Sequence, residues 1–266
     1  MTGLIIFAIL CIYPLIYLLF YSLKTNEEIF FLNPFGFPKD IRFENYVNAV
    51  QAFNILGYFK NSLFVSCISI IGVLTVSLPF SYAISRMRWK FKTVAATYIT
   101  MGLFIPIQVI IIPLAILVKQ MQMANTYFAL IVPYIAFNMA FTILVLSTSL
   151  TALPKEMEES AFIDGASIYR TFFSIIIPLV KPALATAITF VFLGVWNEYT
   201  IASIFISKEA IKTLPIGLSA FSGQHSTDWG AIGASLVIAS VPTIVIYSIF
   251  SEQVEKAMTV GGAVKG

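Results

Sequence analysis

Six stretches of this 266-residue chain run for more than twenty residues almost without charge, at approximately 3–23, 61–85, 93–118, 128–150, 183–206 and 229–250. Five carry no charged residue, and the fifth carries Glu198 alone. A helix rises about 1.5 Å per residue, so each stretch can cross about 30 Å of hydrocarbon. Lipid offers backbone groups no partner, which leaves helices or closed barrels, and barrel strands would be shorter and alternating. The chain is therefore expected to be an all-α membrane protein with six transmembrane helices in one domain, 1–266. Composition agrees, at 59% hydrophobic and 11% charged residues, where a soluble domain carries about 25% charged. Pro14, Pro79, Pro106, Pro113, Pro133 and Pro242 fall inside the stretches. Each removes a backbone donor and can kink its helix.

Residues 1–20 lack a basic n-region and a small-residue cleavage site, so they read as a retained span and not a signal peptide. The connection 24–60 is rich in turns, Asn33-Pro34 and Phe37-Pro38 among them. Within it, Phe43, Tyr46, Val47 and Val50 have the spacing of a short amphipathic helix at the membrane interface. The next connection packs Arg86, Arg88, Lys90 and Lys92 together, which places it in the cytoplasm by the positive-inside rule. With six spans, both termini then lie in the cytoplasm. Residues 207–228 are expected to form a polar outer loop.

The connection 153–182 has far more organisation than a spacer needs. Pro154 suits a first helical position, and Glu156, Glu158 and Glu159 follow where the helix dipole favours acid. Asp164-Gly165 offers a helix stop, with Gly165 able to take the left-handed cap conformation. Ser167 can cap a second short helix, 168–176, which Pro178 would help to end. A cytoplasmic helix–turn–helix is the expectation.

Glu159-Ser160-Ala161, then Gly165, then Ile175-Ile176-Ile177-Pro178 resembles the "EAA" loop of the membrane subunits of binding-protein-dependent ABC importers. Ser160 stands where that family usually has Ala, and Ile177 where it usually has Leu. The ending 257–266 is similar to that of the family's carbohydrate branch, the maltose-type permeases. Trp196-Asn197-Glu198-Tyr199, Thr227-Asp228-Trp229-Gly230 and the segment 213–218 resemble the same branch. The resemblance implies the type I permease fold of ABC importers, in a multi-pass subunit of the cell (inner) membrane that imports a sugar. It implies a second related permease, two cytoplasmic ATPase subunits that bind ATP and Mg²⁺, and an extracytoplasmic solute-binding protein. It also implies that ATPase closure drives alternating access through 153–182. Glu159 and Asp164 would supply polar contacts there, Ala161 close packing and Gly165 the turn, with Ile175 and Pro178 completing the motif. The tail after Lys256 would also reach the ATPases.

No catalytic constellation accompanies these features. The sequence has no Gly-rich phosphate loop with its lysine, no HExxH and no cysteines at metal spacing. Cys11 and Cys67 lie in apolar runs as packing residues, and the single His225 excludes a multi-histidine metal site. A net charge of +3 gives no basic patch for nucleic acid. Two roles fit Glu198. With Trp196, Asn197 and Tyr199 it could line a translocation path, or it could make a structural hydrogen bond to a neighbouring helix. An amino acid, peptide or phosphate is the alternative cargo. A secondary transporter would need coupling-ion carboxylates or inverted repeats, for which Glu198 alone is thin support.

Overall fold

The computed structural model describes residues 1–224 and 228–263, and the side chains of all of these except 52, 53, 220–224 and 257–263. His225, Thr227 and the side chains of the 257–266 ending lie outside the described residues. In chain order the helices are α1 (Thr2–Ser22), α2 (Glu44–Phe53), α3 (Ile55–Arg86), α4 (Lys92–Met101), α5 (Ile107–Gln120) and α6 (Phe128–Ala152). They continue as α7 (Glu156–Ile163), α8 (Ile168–Leu179), α9 (Lys181–Trp196), α10 (Thr200–Phe205), α11 (Leu214–Gln224) and α12 (Trp229–Ala263). Helices α1, α3, α6 and α12 are each long and apolar enough to cross a membrane. Counting α4–α5 and α8–α9 as bent spans brings the total to six. By contact the chain divides into two compact units, 1–63 with 206–244, and 64–205 with 245–266.

In the first unit, α1 is apolar all round, and Leu4, Phe7 and Leu10 are largely exposed. That is the surface of a helix made for lipid or a partner helix. The following loop is held by a buried lysine. Lys24 is 1% exposed and its Nζ donates to the carbonyls of Asn33 (2.7 Å) and Pro34 (3.1 Å). Burial pushes the ammonium below the usual lysine range, and the nearby Glu28 carboxylate pulls it partly back. Helix α2 falls where the apolar spacing of Phe43, Tyr46, Val47 and Val50 predicts one. Asp228 caps α12, its Oδ1 accepting from the Ala231 amide and its Oδ2 from Asn48. The expected outer loop is largely ordered, because α11 occupies half of it. The segment ahead of α11 is tied to α3. Asn61 Nδ2 donates to the carbonyls of Ala210 and Lys212, and Ser62 Oγ accepts from the Leu214 amide.

In the second unit, small residues let helices approach. Ser66, Ser69, Ser77 and Ser81 on α3 are fully buried at helical spacing. Ile135 of α6 lies over Gly72, where a β-carbon would come within 2.3 Å of its Cδ1. Two departures from the expected helices trace to prolines. The third apolar stretch is not one helix, because its halves meet at 104° around Ile105-Pro106. Proline pushes the preceding residue out of the α region, and Ile105 is extended at φ −89° and ψ 109°. The second is Pro178, which does not end its helix. A wider turn of π type at Phe172–Ile176 leaves Pro178 in the first turn of the next α-helical segment, where a missing N–H is tolerated. The helix stops instead at Val180, and α9 departs at 74°.

The candidate coupling site

Helix α7 has three glutamates in its first turn and closes on a turn that glycine alone adopts freely. Gly165 takes φ +76°. Its amide donates to the Phe162 carbonyl at 3.1 Å, and the Ala166 amide donates to the Ala161 carbonyl at 2.9 Å. These are the two bonds of a Schellman cap, with glycine in the left-handed position. Two residues on, Ser167 is extended and its Oγ accepts from the Arg170 amide at 3.3 Å, which starts α8. Caps of this kind depend on near neighbours only, and for that reason the sequence shows them.

The two helices lie on an apolar base. Phe172, Ile176 and Val180 of the 168–180 segment pack with Tyr82 of α3 and Leu150 of α6, supported by Leu78, Leu153, Ile177 and Leu184. The rings of Tyr82 and Phe172 are 5.1 Å apart. Outward, the pair presents a mixed surface: Glu159, Asp164, Gly165, Tyr169 and Pro178 are exposed, and Ile163 is 85% exposed. Ile175 is half-buried. Ala161 points the other way, 6% exposed, so its close packing is within this chain.

Sequence reasoning missed the residues that hold α7 in place. Glu158 shares the inward face with Ala161, three residues on. Its Oε1 is 3.0 Å from Arg86 Nε, at the C-terminal end of α3. The Tyr82 hydroxyl donates to its Oε2 at a long 3.4 Å. Arg86 Nη2 also donates to the Leu153 carbonyl, at the end of α6, at 2.7 Å. In the sequence Arg86 is one of four loop cations and Glu158 one of three acids. The i, i+3 spacing from the small Ala161 is the signal that singles out Glu158 as inward.

The second group of predicted residues sits where α9 ends. Trp196 is buried and stacked on Phe192 at 5.3 Å, and Asn197 Nδ2 donates to the Leu193 carbonyl. Both carboxylate oxygens of Glu198 are occupied. Oε1 accepts from the Ile201 amide (2.8 Å), and Oε2 from the Ala202 amide (3.1 Å) and the Tyr134 hydroxyl (2.6 Å). The carboxylate thus caps α10 and ties it to α6, which is the structural one of its two roles. Tyr199 is exposed beside it.

Residues 76–260, which include both groups, match the family described as the binding-protein-dependent transport system inner membrane component. The chain belongs to this family. It is a permease component and a multi-pass protein of the inner membrane. The permease is 30% identical over 99% of its length to the trehalose/maltose transport system permease protein MalG of Thermococcus litoralis, 95% of which is covered. It is also 30% identical over 97% of its length to the diacetylchitobiose uptake system permease protein NgcG of Streptomyces coelicolor, 86% of which is covered. Among solved structures it resembles a chain of a bacterial ABC transporter involved in the import of the acidic polysaccharide alginate. That match has a TM-score of 0.81 at 23% identity, over 94% of this chain and 93% of the other. It also resembles a chain of the alginate transporter in complex with an alginate pentasaccharide-bound periplasmic protein, with a TM-score of 0.66 at 18% identity over 94% and 90%. The fold is therefore the all-α, type I permease fold of ABC importers.

Proposed function

We propose that this permease forms the membrane path of an ATP-driven importer for a sugar or oligosaccharide, and that α7 and α8 receive the push of the ATPases. The observation that carries the proposal is the build of the 153–182 segment. It is capped at its turn and anchored on its inner face, and it presents Glu159, Asp164 and Ile163 outward. A mere connector has no need of a rigid base with a polar and apolar outer face. This chain carries no phosphate-binding loop, so the energy comes from partners that bind ATP and Mg²⁺.

The working complex contains this permease, a second related permease, two cytoplasmic ATPase subunits and an extracytoplasmic solute-binding protein. The neighbour associated with a sugar-loaded periplasmic protein supports the last of these. The named relatives that carry trehalose, maltose or diacetylchitobiose support a sugar cargo. Both termini and the 153–182 segment face the cytoplasm, as the 86–92 cluster favours. Glu159 and Asp164 make polar contacts at the docking face, Gly165 sets the angle between the two helices, and Ile175 and Pro178 shape the second. Trp196, Asn197, Glu198 and Tyr199 stiffen the wall of the path at the break between α9 and α10.

The test is purification of the complex, identification of its bound subunits, and reconstitution into vesicles. ATP-dependent uptake of trehalose, maltose or diacetylchitobiose, lost when the ATPases are omitted, is the expected result. Uptake driven by an ion gradient without ATP would overturn the reading.

A further inference from the structure

The contact at Arg86 joins three elements that are far apart in the chain. Its guanidinium, on the last residue of α3, meets Glu158 of α7 at 3.0 Å and the Leu153 carbonyl at the end of α6 at 2.7 Å. We propose that Arg86 and Glu158 form the joint through which movement of α7 reaches the ends of α3 and α6. This rests on the docking role proposed above and deepens it by naming how the push is passed on. Glu158 and Ala161 are the buried residues of α7, and a methyl group cannot fix a helix's orientation. Hydrophobic contact is non-directional, so a helix held by it alone can slide or roll. The Arg86 side chain is 4% exposed and that of Glu158 12%. Separating charges buried to that degree leaves each without its partner, so the pair resists being pulled apart. Arginine's rigid plane adds direction, because the group that donates from Nη2 to a helix-end carbonyl also holds its Nε against the carboxylate as an ion pair without an aligned hydrogen bond. A displacement of α7 therefore carries the ends of α3 and α6 with it. Arg86 and Glu158 are positioning residues, facing away from the surface that Glu159 presents.

The test uses the full complex in lipid nanodiscs, with Cys11 and Cys67 replaced by Ala and one reporter, Phe128→Cys, at the far end of α6 from Leu153. Phe128 is 66% exposed, and the readout is its labelling rate with a charged thiol reagent. In the parental complex a non-hydrolysable ATP analogue with Mg²⁺ changes that rate. Arg86→Met with Glu158→Gln removes both charges together and leaves neither buried alone. In this double variant the ATPases still co-purify, and the nucleotide-dependent change falls by about tenfold, within the range of coupling between sites. Arg86→Lys keeps the charge paired but loses the rigid plane, and gives an intermediate response. A full parental response in the double variant or in Arg86→Lys overturns the joint. So does a parental rate that ignores nucleotide while the ATPases stay bound. Loss of the ATPases from the double variant also overturns it, because the pair would then shape the docking face. Glu159→Lys is the separate arm for the docking role: ATPases retained there at parental level would remove that role, and the joint with it.

Discussion

Gly165 and Glu198 differ in how local their demands are. Gly165 sits at φ +76° with open space around its Cα, so any side chain there meets backbone strain and not a clash. For an L-residue the left-handed region costs about 1–2 kcal/mol, and more with β-branching. That is too little to unfold the bundle and enough to change how α7 and α8 meet. Gly165→Val is therefore expected to reach the membrane at near-normal level, yet to retain less ATPase and show weaker sugar-stimulated hydrolysis. Parental stimulation would mean that the turn angle is immaterial. At Glu198 the carboxylate accepts three bonds, and hydrogen bonds to a charged group are worth about 1.5–3 kcal/mol each. Glu198→Ala is expected to lower the thermal midpoint of the purified complex by several degrees, with Glu198→Gln intermediate because one acceptor oxygen remains. A variant that loses uptake at unchanged midpoint would give Glu198 a part in transport beyond stiffening the wall.

Between α10 and α11, and at the break between α4 and α5, the sequence and the structure part company for different reasons. The segment ahead of α11 is held partly by Glu209, which forms an ion pair with Lys212 at 2.6 Å and accepts from the Tyr58 hydroxyl. Lys212 first, then Tyr58, holds the Glu209 carboxyl below its usual 4.5. A depressed carboxyl contributes stability that is present above its unfolded pKa and is lost as pH falls through the folded one. The protection of the amides around Lys212–Leu214, meaning exchange relative to its intrinsic rate at each pH, should therefore stay level from neutral pH down to the ordinary carboxylate range and fall only below it. Glu209→Gln should show the lower protection at every pH. At Ile105-Pro106 the 104° bend follows from proline's restriction of its predecessor. Pro106→Ala is expected to relax that bend, which the distance between spin labels at Val94 and Leu117 would report as a longer separation. An unchanged distance would assign the bend to packing with α6. Pro133 shows why the residue type alone is insufficient, since α6 continues through it.

Across the whole molecule, the proposed membrane topology rests on the 86–92 cluster. Single cysteines at Ser167 and Ser207, with the native pair replaced, should differ in intact cells: an impermeant thiol reagent should label Ser207→Cys and spare Ser167→Cys. The reverse pattern would invert the permease. The sequence by itself determined that the chain lives in lipid and is helical, because apolar length and the backbone's need for internal bonds leave no other choice. It determined the 153–167 turn as well, since a Schellman glycine and a serine cap act within a few residues. It marked the family through the same motif. Only the tertiary structure decided that the inward glutamate, Glu158, meets Arg86. Tyr82, which shares that carboxylate, is 76 residues away from it in the chain. Such a pairing depends on how α3, α6 and α7 pack, and hydropathy, which sums residue by residue, holds no record of it. The same is true of Glu198 and its partner Tyr134, 64 residues away on α6, whereas the Ile201 and Ala202 amides that the same carboxylate caps lie within four residues of it.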